Sequence, residues 1–180
     1  MMLRKAYNER LVQDVRTNYD DGRLITQSAA ADQPGAHDAS MEPLDVAAWT
    51  MYFGVFHGGT PYEGTRDFLE EAHRLWPDKP ILNTEFGQWS QQDNSEGDKQ
   101  SGIYNDTMKT LMERAAVTSE GEANPHGFVA GIDWWSMYNW YVNHSQWIQT
   151  RGLVHMDREQ EKDVADLLRN DYGRLAEQTR

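Results

Sequence analysis

The sequence has no cysteine, which excludes disulfide scaffolds, thiolate metal centres and cysteine nucleophiles. Positive charge is scarce: 17 Lys and Arg face 29 Asp and Glu, a formal net charge of −12. Such a chain repels a nucleic-acid backbone or an anionic membrane, and neither is expected as a partner. Long apolar runs are missing too. No stretch approaches the roughly 18–20 apolar residues of a membrane helix, and the first residues do not read as a signal peptide, which leaves the cytoplasm as the default compartment. There is no G-x-G-x-x-G or Walker sequence, so no nucleotide fold is indicated and no cofactor is expected. His37, His57, His73, His126, His144 and His155 show neither H-x₃-H nor H-E-x-x-H spacing, and no metal site is expected.

Aromatic residues, by contrast, are plentiful. Seven Trp, eight Tyr and five Phe supply a core and argue against disorder. The length of 180 residues fits one domain or part of a larger one.

Helix-period segments alternate with short β-like runs. Leu3, Tyr7, Leu11 and Val15 recur every four residues with Ala6 and Val12 beside them, predicting an amphipathic helix over 2–19. Asp20-Asp21-Gly22 stops it. Strands are predicted over 24–28, 46–52, 80–87 and 128–136, and further helices over about 65–76, 103–115 and 164–175. Strands alternating with helices through mostly short connections indicate parallel βα units. An open doubly wound sheet and a barrel segment both fit. Polar and aromatic candidates gather at the strand C-termini without a Gly-rich phosphate loop, which favours the barrel.

Thr84-Glu85-Phe86-Gly87 puts a carboxylate at the end of an otherwise apolar strand. A surface glutamate before a turn glycine has the same look. However, Tyr52 ends the preceding strand, and Trp134 and Trp135 end the next. In consecutive parallel strands these ends are neighbours, so an acid is flanked by a phenol and indoles. Aromatic faces with hydrogen-bonding carboxylates suit the apolar faces and hydroxyl rims of sugars. Asn83, two residues before Glu85, is expected by strand alternation on the same side, in a hydrogen-bonding role at the site.

Taken in order, Asp45-Val46 through Tyr52-Phe53-Gly54, Pro80-Ile81-Leu82-Asn83-Thr84-Glu85-Phe86-Gly87, Gly131 through Trp135, and Gly152-Leu153-Val154 through Asp157-Arg158 and Lys162 resemble the catalytic barrel of glycoside hydrolase family 2, the β-galactosidase and β-glucuronidase family. Gly22-Arg23-Leu24-Ile25-Thr26 resembles that family's entry into its fifth strand, so the resemblance runs from Asp20 to Lys162. It implies an α/β fold, the C-terminal half (strands five to eight) of a (β/α)₈ TIM barrel. Residues 1–180 would form one partial catalytic domain that begins within the fourth helix. The implied activity is a retaining glycosidase acting on β-galactoside- or β-glucuronide-like substrates, with Glu85 as nucleophile. Tyr52 would position the carboxylate by a hydrogen bond, and Trp135 would floor the sugar subsite; plain core packing is the competing role for both. Arg151 lies where β-glucuronidase-like members hold a cation for the sugar carboxylate; a solvated loop arginine is the ordinary reading of that position. The implied partners are a carbohydrate substrate and the N-terminal half of the barrel, within a homo-oligomer of the full-length enzyme.

The sequence departs from the family at Thr50, where many members carry Asn, and at Trp135-Ser136-Met137-Tyr138-Asn139, where a Trp-x-Phe-x-Asp pattern is common. Asn8-Glu9 imitates the family's acid/base pair, but Met1 to Tyr7 form no apolar strand and the four-residue period runs through it. The acid/base is therefore expected on the N-terminal half, and this chain alone is expected to be a poor catalyst. Asp133 is read either as a second acid or as a partner for a neighbouring element, and His57 either as lining a cleft or, by preference, as a surface loop residue. Asn143, His144 and Trp147 are read as a cleft wall or as local packing. The rival readings are a non-catalytic carbohydrate-binding or interaction module, and a barrel glycosidase of another family.

Overall fold

The computed structural model describes residues 2–90, 99–142 and 148–178. The elements are α1 (Met2–Asn18), β1 (Ser28–Ala30), β2 (Ala47–Thr50), α2 (Pro61–Leu75), β3 (Ile81–Phe86), α3 (Lys99–Glu113), β4 (Val129–Trp134), β5 (Trp140–Tyr141), β6 (Ile148–Gln149) and α4 (Asp163–Gln178), with two short 3-10 turns between β1 and β2. The fold is α/β. β1 to β4 form one parallel sheet in sequence order, and β5 and β6 form a small antiparallel hairpin.

Local sequence explains the central elements. Ala47, Ala48 and Trp49 of β2 are fully buried, as expected of a parallel strand covered on both faces. α2 starts on Thr60, whose hydroxyl accepts the Glu63 backbone N–H at 3.1 Å, with Pro61 in the first turn. Its Thr65, Phe68, Leu69 and Ala72 are buried at helical spacing. Phe68 meets Trp49 edge-on at 5.3 Å, and Tyr104 of α3 packs on Phe86 at 5.9 Å. One sheet face is thus the face under the helices.

The other face is concave. The hydroxyls of Ser28 in β1 and Thr84 in β3 stand 2.5 Å apart, although β2 lies between those strands. In a flat sheet, strands two apart are separated by roughly 9.5 Å, so these side chains meet only because the sheet is rolled.

β3 is irregular where the chemistry sits. Trp49 pairs with Asn83 but Thr50 with Glu85, and Asn83 pairs with Ile132 but Phe86 with Trp134. Both ladders slip at Thr84-Glu85, the signature of a bulge. Alternation is broken there. Ile81, Asn83 and Phe86, all buried, share the helix-facing side, whereas Thr84 and Glu85 face the concave side together.

Three expectations are corrected here. The first strand is Ser28–Ala30 rather than 24–28, because the earlier stretch is tied down outside the ladder. There the Ile25 N–H donates to the Asp45 carboxylate at 2.7 Å and the Thr26 hydroxyl to the Val46 carbonyl at 2.9 Å. The second helix starts four residues before the predicted Thr65, at the Thr60-Pro61 cap. An amphipathic helix ordinarily lays its apolar stripe on the core, but α1 turns most of the stripe outward and keeps only Val12 against the core. Leu3 is 87% exposed and Tyr7 and Leu11 are exposed as well, while Asn8 is buried with its amide donating to the Ser40 carbonyl at 3.0 Å. Tyr19 and Leu24, which follow α1, are exposed as well. Among the described residues β1 and β4 each have a single ladder neighbour.

Candidate active site

The site is built at the C-terminal ends of β2, β3 and β4. Tyr52, two residues beyond β2, donates its hydroxyl to Glu85 Oε2 at 2.8 Å, and the Met51 N–H donates to the Glu85 carbonyl at 2.7 Å. Burial above all, and then the Glu85 carboxylate, push the Tyr52 phenol well above its ordinary range, so it stays protonated as the donor. Trp135 follows β4, with its N–H on the Phe86 carbonyl at 2.9 Å. The residue is 40% exposed, and its ring stands edge-on to that of Trp140 at 5.8 Å. Gly87 is required by this approach, since a Cβ there would lie 2.5 Å from the Trp135 carbonyl oxygen. Tyr52, Glu85 and Trp135 thus share one end of the sheet.

Arg151, beyond β6, completes the cluster. It is 7% exposed, which overturns the reading of a solvated loop arginine. Its guanidinium carbon lies 3.9 Å from the Trp89 ring centre, 4.7 Å from that of Tyr52 and 5.0 Å from that of Phe56. Such faces attract a cation. Burial pushes the guanidinium down from the usual arginine range, while Tyr52 and Glu85 pull the other way. Arginine stays charged in any case. Its Nε has no hydrogen-bond partner among the described residues, and an unsatisfied buried donor of this kind calls for an acceptor.

Phe56 and Trp89 were not foreseen as parts of the site, and for His57 the surface loop was the preferred reading over a cleft-lining one. Phe56 stacks on Tyr52 at 4.5 Å, and the Trp89 indole N–H is fixed by Gln149 at 2.6 Å. His57 is 5% exposed, not a surface residue. Its Nδ1 accepts the Tyr52 backbone N–H at 3.1 Å, and Nε2 stands 3.6 Å from Asp32. Burial pushes the imidazole below its ordinary value, against the pull of Asp32.

Protonating Nδ1 would remove the acceptor for Tyr52. The contribution of His57 is therefore complete above the ordinary value of 6.5 and is lost as pH falls through the lower folded value. His57→Phe should cost about 1–3 kcal/mol by orphaning that N–H and should flatten the acid side of the stability–pH curve. Chemical denaturation between pH 5 and pH 8 checks both effects.

Two predicted site residues lie elsewhere. Trp134 is buried against Phe86 at 5.2 Å and Tyr104 at 5.9 Å, on the helix side, because it pairs with Phe86 across the bulged ladder. Its indole N–H donates to the Arg151 carbonyl at 3.2 Å. Asn83 is fully buried on the same side, with its amide donating to the Glu85 carbonyl at 3.1 Å; the bulge separates it from the Glu85 side chain. Asp133 is exposed on β4. Burial, then Asp133 and Asp171, push the Tyr172 hydroxyl of α4 up to about 12. Glu9 is exposed in the middle of α1, 3.8 Å from Lys5. Asn143, His144 and Trp147 lie outside the described residues. Among the described residues no group of three His, Asp or Glu is gathered to hold a metal ion.

No family model matches the sequence, and no curated protein matches it. Solved structures share its fold. The β-D-glucuronidase of Dictyoglomus thermophilum matches with a TM-score of 0.74 at 20% identity, over 94% of this chain and 29% of that one. A β-glucuronidase of an uncultured Clostridium sp. gives 0.73 at 20% identity, over 94% and 29%. β-Glucuronidase 2 of Bacteroides uniformis, covalently bound to cyclophellitol-6-carboxylate aziridine, gives 0.70 at 19% identity, over 88% and 19%. The chain spans less than a third of each of these proteins, and at such identities the likeness is one of fold.

Proposed function

We propose that this chain is the C-terminal half, strands five to eight, of the catalytic (β/α)₈ barrel of a family 2 glycoside hydrolase that cleaves β-glucuronides with retention. The observation that carries the reading is the Tyr52–Glu85 hydrogen bond beside a buried Arg151 that has an unused donor. In a retaining cleavage a Glu85 oxygen attacks the anomeric carbon and the glycosidic C–O bond breaks. The leaving oxygen takes a proton from a second carboxyl group, and water then releases the sugar. Tyr52 holds Oε2 so that Oε1 is presented to the sugar, and Trp135 offers an exposed aromatic face to it. Arg151 favours a uronate over a neutral galactoside, because a charged acceptor satisfies its free donor.

The second carboxyl group is assigned to an N-terminal half carrying strands one to four. The single-neighbour edges of β1 and β4, the outward stripe of α1 and the curvature of the sheet support that assignment.

Cyclophellitol-6-carboxylate aziridine tests the reading directly. Attack by Glu85 opens the aziridine C–N bond, the basic ring nitrogen takes its proton from water, and an ester is left on the enzyme. Peptide mass mapping should find the adduct on Glu85. The uncharged cyclophellitol aziridine should react more slowly by about tenfold to a hundredfold, the range of one charge-assisted hydrogen bond. An adduct on Asp133 or Glu9, or none with either probe, would sink the nucleophile assignment. Equal rates would leave the nucleophile and remove the uronate preference.

A further inference from the structure

Lys162 closes the family-like series of segments. It stands just before α4, yet it is 5% exposed. Its ammonium donates to the Asn139 side-chain oxygen at 2.9 Å and to the Thr150 carbonyl at 2.8 Å. Both acceptors are neutral, and no carboxylate is paired with it among the described residues. Burial alone pushes the amine down to about 8. A buried ammonium without a counter-charge is a costly way to tie down a loop. Local rules are broken in this way mainly where function requires it.

What it ties down is the segment carrying Arg151. Thr150, whose carbonyl Lys162 holds, precedes the arginine directly. Asn139, which Lys162 also holds, accepts the Gly152 N–H at 3.0 Å through the same oxygen. Both peptide units flanking Arg151 are therefore gripped from one buried amine. Gly152 allows the grip, since a Cβ there would lie 2.2 Å from the Asn139 backbone nitrogen. The Lys162 N–H on the Leu153 carbonyl at 2.9 Å and the Trp134 indole on the Arg151 carbonyl extend the clamp. Asn139 stands at one of the sequence's departures from the family pattern; as an amide it adds no negative charge beside the cation.

We infer that Lys162 is a positioning residue for Arg151: by holding Thr150 and, through Asn139, Gly152, it fixes the guanidinium among Tyr52, Phe56 and Trp89 and so sets the preference for an anionic substituent. The inference rests on the uronate reading of Arg151 for its consequence, but not for the grip itself.

The readout is the ratio of inactivation rates with cyclophellitol-6-carboxylate aziridine and with its uncharged counterpart. Lys162→Met keeps the length and removes the donors, and it should lower that ratio by about tenfold, since small misplacements of a binding group are worth up to about a hundredfold. General loss of folded protein scales both rates alike and leaves the ratio unchanged. Asn139→Ala, the milder change, should act in the same direction. The double variant should be no worse than the more severe single one, because both break one path.

A second measurement is independent of any probe. The Arg151 Nε–H resonance should be displaced by the three rings in the wild type. In Lys162→Met it should move toward the exposed-arginine position, while the methyl resonances of Leu69 in the core hold still. An unmoved Arg151 resonance, or a rate ratio unchanged where the wild type discriminates, would overturn the inference. If neither probe labels the wild type but the resonance moves, the grip stands and the nucleophile assignment falls; if both label it at equal rates, the grip stands and the uronate preference falls. If the probes discriminate in the wild type and Lys162→Met leaves the ratio intact, the uronate reading stands and Lys162 has no part in it.

Discussion

Glu85→Gln should abolish covalent capture of a glycosyl inactivator, with a loss on the order of 10⁴–10⁶ in rate, as when a nucleophile is deleted from other covalent enzymes. The substitution is nearly isosteric. The Gln oxygen can still accept the Tyr52 hydroxyl, now 2.8 Å from Oε2, and the Met51 N–H bonds the residue 85 backbone carbonyl, which the change does not touch. Geometry is kept and the negative charge is lost. The change therefore isolates the one property that attack on an anomeric carbon requires. Tyr52→Phe makes the complementary test. It keeps the charge but removes a charge-assisted hydrogen bond, and it should lower the rate by roughly tenfold to a hundredfold. Rates followed by intact mass, with circular dichroism to verify folding, separate the two. Equal, mild losses in both variants would show that Glu85 is a structural acceptor for Tyr52 and not a nucleophile.

The second large effect concerns turnover by the 180-residue chain itself. Retaining hydrolysis needs two carboxyl groups about 5–5.5 Å apart, and the geometry around Tyr52 gathers one, Glu85. Loss of a positioned general acid removes about 10²–10⁴ in rate. The loss should depend on the leaving group. A dinitrophenyl glucuronide departs without protonation and should still glycosylate Glu85 in a burst, whereas an alkyl glucuronide should not react measurably. An N-terminal barrel half added in trans should restore the alkyl substrate, because it would cover β1, β4 and the stripe of α1. Vigorous hydrolysis of an unactivated glucuronide by the chain alone would mean that an acid within it, with Asp32, Asp133 and Glu9 the first to examine, serves as the general acid.

Much of this site was legible in the sequence because it follows from local rules. A strand shows itself by apolar content and a turn glycine, a helix by its period, and their alternation brings successive strands side by side and parallel. Once that is granted, Tyr52, Glu85 and Trp135 must meet at one end, since each closes or follows its strand. The resemblance of the ordered segments then gave them roles to be tested. All of this depends on neighbours within a few residues.

What escaped the sequence depends on distant partners. The bulge at Thr84-Glu85 comes from the ladders that β2 and β4 make with β3, so alternation put Asn83 on the wrong side. Trp134 went to the core for the same reason, since its face is set by pairing with Phe86. The burial of Arg151 and His57 comes from Phe56, Trp89 and Tyr52 closing over them, and no periodicity reports what will cover a loop. α1 makes the point from the other direction. Its four-residue repeat did determine a helix with an apolar stripe, but a repeat fixes only which side chains stand together. Which side is buried is decided by the surface the helix meets, and here Asn8 is buried while Leu3, Tyr7 and Leu11 are left to solvent.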